Sequence, residues 1–230
     1  SSSQAVDLAR RYYALLHVLH LTTAIEMGLF TKGPRQGKRI TAEACVHHLW
    51  FEESRYADLG ASIKCNPAIK TEADRDALVK AVVEDRIDII ATDHAPHTIS
   101  EKGKSYFKSP AGIPLVQHVM LCLFDLVGEG KFSYERIVDK TSHAVADIFG
   151  VVDRGYVREG YFADLIIMDP DKPSLVTDAS LLAKCHWSPF TGHTFRSTVD
   201  TTIVNGSIAY QDGLLTGDQL GQKMEFNRAR

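Results

Sequence analysis

The chain is poor in the features that announce several common protein classes. It has only four cysteines, Cys45, Cys65, Cys122 and Cys185, and they form no CxxC pair. That scatter excludes a zinc ribbon and a disulfide framework, and it predicts a reduced, cytoplasmic compartment. Positive charge is not in excess: 26 Lys and Arg stand against 29 Asp and Glu. With no basic stripe carrying interleaved aromatics, nucleic acid is not an expected partner. No apolar run reaches membrane length. The longest, "GIPLVQHVMLCLFDLVG", is broken by Gln117, His118 and Asp125 and reads as an amphipathic or buried helix. The opening "SSSQAVDLARRYY" has no hydrophobic signal region. Internal repeats and low-complexity tracts are also missing. What remains is an ordinary globular composition, 44% hydrophobic over 230 residues, sufficient for a sizeable core.

Two patterns divide the chain. Up to about residue 150, helix-like segments ("SQAVDLARRYYA", "TEADRDALVKAVVED", and 113–127) alternate with strand-like ones ("LLHVLHLTT", "RITAEACVHH", "IDIIATDHAPH"). Short strands alternating with longer helices predict βα units around a parallel sheet. Thr71 followed by Asp74 predicts a capped helix start. From 151 to 230 the pattern becomes short strands separated by glycine turns, with Asn205-Gly206 between "TTIV" and "SIAY" as a hairpin signal. The expected organisation is an α/β unit over 1–150 and a small β-segment with a polar tail over 151–230. The tail is expected to lie on the surface or fray.

The chemistry-bearing residues gather where strands end. In "LLHVLHLTT", His17 and His20 face opposite sides of any strand. In parallel βα proteins the C-terminal strand ends carry the site. His20 is therefore the functional candidate and His17 a packed or hydrogen-bonded residue. His47 and His48 close "TAEACVHH"; adjacent strand residues diverge, so at most one is expected in a shared site. Asp93 ends the face carrying Ile87, Ile89 and Ala91. Cys45, two residues before His47, reads as a small apolar core residue. Neutral imidazole and carboxylate together suit a zinc-like metal, which lowers the pKa of a water it holds to about 7. A neighbouring aspartate can orient that water and move its proton.

These segments carry a family resemblance. "HVLHLTTA", "TAEACVHHL", "KCNPAIKTEADR", "ATDHAPHT", "SPAGIPLVQH" and "GYFADLIIMD", in this order over about residues 15–215, resemble the C-terminal half of a class I dihydroorotase of the amidohydrolase superfamily. The resemblance implies an α/β fold: part of a TIM (β/α)8 barrel, strands five to eight, followed by the C-terminal β-segment of a composite domain. It implies a zinc enzyme, with two Zn2+ per intact site, that interconverts N-carbamoyl-L-aspartate and dihydroorotate in pyrimidine biosynthesis. His20, on the fifth strand, and His47, on the sixth, would be metal ligands, which favours His47 over His48. Asp93, on the eighth, would be both metal ligand and catalytic acid/base. Asn66, His97, Ala111 and Gly112 would bind substrate. Lys70 stands where the family often has Arg, and Lys cannot make a bidentate guanidinium contact.

The family's other ligands come from an HxH pair at the first strand and from a lysine or aspartate at the fourth. This chain contains no HxH. It therefore reads as a fragment whose partner is the N-terminal half of the barrel, inactive alone, with a homodimer as a candidate assembly. Two alternatives stand beside dihydroorotase. One is a dihydropyrimidinase or allantoinase. The other is a non-catalytic dihydroorotase-like scaffold, although such scaffolds typically lose the ligands retained here.

Overall fold

The computed structural model describes residues 1–217 and 220–227. Helix α1 (Ser2–Arg11) buries Val6 and Ala9. Strands β1 (Leu16–Val18) and β2 (Ile40–Cys45) precede the short helix α2 (Val46–Trp50), then α3 (Glu72–Val83) and β3 (Ile89–Ala91). Next come the one-turn helix α4 (Ile99–Lys102), α5 (Val119–Gly128), α6 (Tyr134–Val138) and α7 (Ala144–Phe149). At the start of α3 the Thr71 hydroxyl accepts the Asp74 amide at 3.2 Å, the cap expected from the sequence.

β1, β2 and β3 form one parallel sheet in that order. Leu16 opposes Ile40, and Glu43 opposes Ile89. One face of this sheet carries Ala42, Ala44 and Ile90, which join Leu49, Leu78, Val82, Leu123 and Leu126 in the buried apolar core. Small alanines in β2 let the helices pack close to the sheet. The other face carries His17, Thr41 and Glu43 from facing positions of β1 and β2.

The parallel sheet has three strands where the sequence suggested four. The segment expected to hold the intervening strand forms a 3-10 turn over Gly60–Ile63 and then irregular backbone to Lys70. Gly60 and Pro67 punctuate it, and proline cannot donate to a ladder. β2 and β3 are consequently direct neighbours.

After Gly150 the chain builds antiparallel structure. Strands β4 (Leu165–Asp169), β5 (Ser174–Leu175), β6 (Thr194–Phe195), β7 (Thr198–Val204), β8 (Ser207–Gln211) and β9 (Leu214–Leu215) form a four-stranded sheet ordered β4-β7-β8-β9 and a β5-β6 pair. The β7–β8 hairpin turns at Asn205 and Gly206, both at positive φ, as a type I′ turn requires. The tail does not fray where it is described. Val151 bridges to Phe226, and the Asn227 amide donates to the Gly150 carbonyl at 2.7 Å. Residues 218–219 and 228–230 of that expectation lie outside the described residues.

Candidate metal and substrate site

His20, His47 and Asp93 each lie two residues beyond the C-terminal end of a strand: β1, β2 and β3 respectively. They share one rim of the parallel sheet, where such folds place their sites. His20 and Asp93 both hold left-handed backbone, at φ 39° and 45°. Non-glycine residues rarely sit there, and such conformations cluster at functional positions. The reversal also ends strict alternation, so the face a side chain inherits from its strand does not decide where it points.

His47 is not a strand residue. It lies with His48 in the first turn of α2, so the two rings do not diverge as expected of adjacent strand positions; their centroids are 4.0 Å apart. Both are buried. Neither ring nitrogen of His47 has a hydrogen-bond partner among the described residues, and the same holds for His48 Nδ1. The Thr92 backbone faces the His47 ring without meeting hydrogen-bond geometry. His48 Nε2 donates to the Pro67 carbonyl at 2.9 Å, which leaves the Nδ1 lone pair bare. Burial pushes His47 well below the usual histidine range, with His48 and His20 adding repulsion. Burial likewise lowers His48 to about 4, against the opposing Pro67 carbonyl. Both imidazoles are therefore neutral at pH 7, the form that binds metals.

Cys45, His47 and His48 place donor atoms within 4.8 Å of one another, the one such trio among the described residues. His20, His47 and Asp93 share a rim, and His20 lies within electrostatic reach of His47, but the three do not form so tight a cluster. The sheet register accounts for part of this. Extending it pairs His47 with Asp93 but His20 with Ala44, three residues short of His47. Burial raises the Cys45 thiol above its usual range, Glu43 and then Asp93 adding to it. Asp93 itself is exposed. His17 is held as a structural residue, as expected: Nδ1 meets Thr41 Oγ1 at 2.8 Å and Nε2 meets Glu43 Oε2 at 3.2 Å. Glu43 also accepts the His20 amide at 3.3 Å, so it fixes the turn that presents His20.

The substrate candidates form a second group. His97 Nε2 donates to the Ala111 carbonyl at 3.0 Å, and the Ala95 amide donates to the Ile113 carbonyl at 3.1 Å. The Asp93–His97 loop and the 111–113 segment therefore run side by side. Gly112 sits at φ 144°, where an added Cβ would lie 2.4 Å from the Ala95 carbonyl oxygen. Only glycine allows this approach. Asn66 is exposed on the loop after Cys65. Lys70 Nζ donates to the Ala68 carbonyl at 2.8 Å, a single-point contact. The sequence reading missed two supports: Trp187, whose Nε1 donates to the His97 carbonyl at 2.7 Å, and His94, whose Nδ1 accepts the Leu115 amide at 3.0 Å. Trp187 lies 90 residues from its partner, and no local pattern signals that contact. His94 was within the motif but carried no spacing cue.

A family model described as "Amidohydrolase family" matches residues 8–209. The chain belongs to the amidohydrolase family. Among similar proteins is a dihydroorotase of Clostridium acetobutylicum, 36% identical over 200 residues, spanning 86% of this chain and 47% of that protein. A Halobacterium salinarum dihydroorotase is 34% identical over 83% of this chain and 44% of its own length. A Bacillus velezensis allantoinase is 31% identical over 91% and 46%. Among solved structures, an L-hydantoinase from Arthrobacter aurescens superposes with a TM-score of 0.90 at 23% identity, covering 97% of this chain and 51% of that one. This amidohydrolase thus has a TIM-barrel-type α/β fold and spans about half the length of the curated relatives it matches.

Proposed function

We propose that this amidohydrolase chain is the C-terminal half of a zinc-dependent dihydroorotase that interconverts N-carbamoyl-L-aspartate and dihydroorotate in pyrimidine synthesis. In this reading residues 1–150 supply strands and helices from the second half of the barrel, and 151–230 supply the C-terminal β-segment. The N-terminal half is its partner, with a homodimer as the candidate assembly and the cytoplasm as its place. The observation that carries the reading is the shared rim, where His20, His47 and Asp93 each stand two residues past the end of one of three neighbouring parallel strands.

The donor set fits zinc. His47 offers buried, neutral, unpartnered nitrogens, and an orphaned buried polar atom is costly unless something satisfies it. His20, His47 and Asp93 would hold the metal from this half; His48 and Cys45 stand next to His47 as further donors. When bound, zinc supplies Lewis-acid polarisation of the scissile carbonyl and acidifies a water. Asp93 takes the proton of the attacking water as the C–O bond forms and the carbonyl π pair moves to oxygen; the carbonyl then re-forms as the C–N bond breaks, and Asp93 delivers the proton to the departing ring nitrogen. Asn66, His97 and the Ala111–Gly112 backbone orient the substrate carboxylate and ring oxygens.

Relatives of several activities surround this chain, so comparison of substrates is the test. The intact, metal-loaded protein should hydrolyse dihydroorotate at a kcat/KM at least about tenfold above those for hydantoin and allantoin. The 230-residue chain by itself should give no turnover. A preference for hydantoin or allantoin would replace dihydroorotase with that activity. An intact protein that binds no zinc would leave the scaffold reading.

A further inference from the structure

Lys102 is a buried cation without an anion. It is only 4% exposed. Other buried cations meet carboxylates: Lys140 meets Asp85, and Arg154 meets Asp164. Lys102 has no ion pair among the described residues. Its Nζ instead donates to three backbone carbonyls: Gly112 at 3.0 Å, Pro110 at 3.1 Å and Lys64 at 3.3 Å. Burying an ammonium is expensive unless its donors are satisfied, so three convergent carbonyls mark a built socket. The same Lys64 carbonyl accepts the Gly112 amide at 2.9 Å. The Trp187 ring, which anchors the His97 carbonyl, lies 5.6 Å from Nζ.

We propose that Lys102 is a positioning residue. One ammonium ties the backbone leading to Asn66 to the backbone around Ala111 and Gly112, and so sets the surface that grips the substrate. This rests on the reading above that Asn66, His97, Ala111 and Gly112 contact a cyclic amide. No carboxylate competes for the ammonium: Glu101, on the same helix, is held by Thr98. The titratable groups facing Lys102 are Cys65 and Lys64, both from the Asn66 loop. Burial lowers Lys102 to about 8; Cys65 opposes this and the Lys64 cation adds to it. Above that pH the charge that holds three carbonyls together is lost, and the clamp loosens.

The test uses Lys102→Met and Lys102→Arg in the intact protein. In Lys102→Met the Gly112 amide should exchange with solvent about tenfold faster while β2 amides keep their protection, and KM for dihydroorotate should rise about tenfold with kcat within about threefold of wild type. Lys102→Arg should recover part of the loss. Wild-type KM should climb above about pH 8, and the Lys102→Met profile should lack that limb. Unchanged exchange and KM in Lys102→Met would overturn the proposal. So would a lowered thermal midpoint with the wild-type KM limb intact, because that is a purely structural role. If the wild type prefers hydantoin or allantoin, dihydroorotase fails as the activity, and the same KM comparison on the preferred substrate decides the role of Lys102. If nothing is turned over, the Gly112 exchange rate decides it.

Discussion

At the residue scale, burial sets the charge of His47, His48 and His118. His118 sits under Phe190 and Phe195, with ring centroids 5.4 and 6.0 Å away, and burial lowers it from 6.5 to about 4. Its folded pKa lies below the unfolded value, so the unfolded chain takes up the proton first as pH falls. The stability it contributes is present above pH 6.5 and is lost as pH drops towards 4. Between pH 7 and 4.5 the metal-free protein should therefore lose stability, His118 accounting for on the order of 1–3 kcal/mol. Urea midpoints measured across this range should fall less steeply in His118→Phe, with His47 and His48 keeping their share of the slope. A wild-type slope in that variant would show that His118 is not a source of the loss. Individual chemistry was well marked in the sequence. His17 as a structural residue, Thr71 as a cap and Asn205-Gly206 as a hairpin turn all follow from local rules. Lys102 was not marked, because a lone lysine in a polar loop gives no local sign that distant carbonyls surround it.

At the scale of elements, the βα alternation was legible but the strand count was not. The segment between β2 and α3, interrupted by Pro67, forms a 3-10 turn and irregular backbone in place of a ladder strand. The apolar run of β2 continues through Val46, so the sequence pattern points to a strand that closes at His47 and His48. The helical turn of α2 starts there instead and brings both rings together. The joint between β2 and β3 offers a test. Asp88, 1% exposed, accepts from Lys38 Nζ at 2.8 Å and from the Ala42 amide at 3.0 Å. Lys38→Met leaves a buried carboxylate short of its cation and should cost about 3–5 kcal/mol by chemical denaturation. A loss below about 1 kcal/mol would mean the pair is screened as a surface pair would be. On the rim side, Gly112→Ala forces a side chain into the Ala95 carbonyl. It should cost about 1–3 kcal/mol and raise KM together with that loss, both read from one preparation by denaturation and steady-state kinetics.

At the scale of the whole molecule, a three-stranded parallel sheet ends in edges at β1 and β3, and unpaired edges seek partners. The solved L-hydantoinase neighbour is about twice as long, and its superposition extends over nearly all of this chain. The rim chemistry follows from that architecture: parallel strands bring their C-terminal ends to one level, and the residues just past those ends meet whatever binds there. The strand-end positions of His20, the His47–His48 pair and Asp93 were legible in the sequence, while the approach of Cys45 and both rings came only through the turn of α2. The role of Asp93 is the most exposed part of the account. In the intact, zinc-loaded protein, Asp93→Asn should lower kcat for dihydroorotate by about 10²-fold or more, because an amide cannot take the proton of water. A kcat equal to wild type in that variant, at equal metal content, would contradict it.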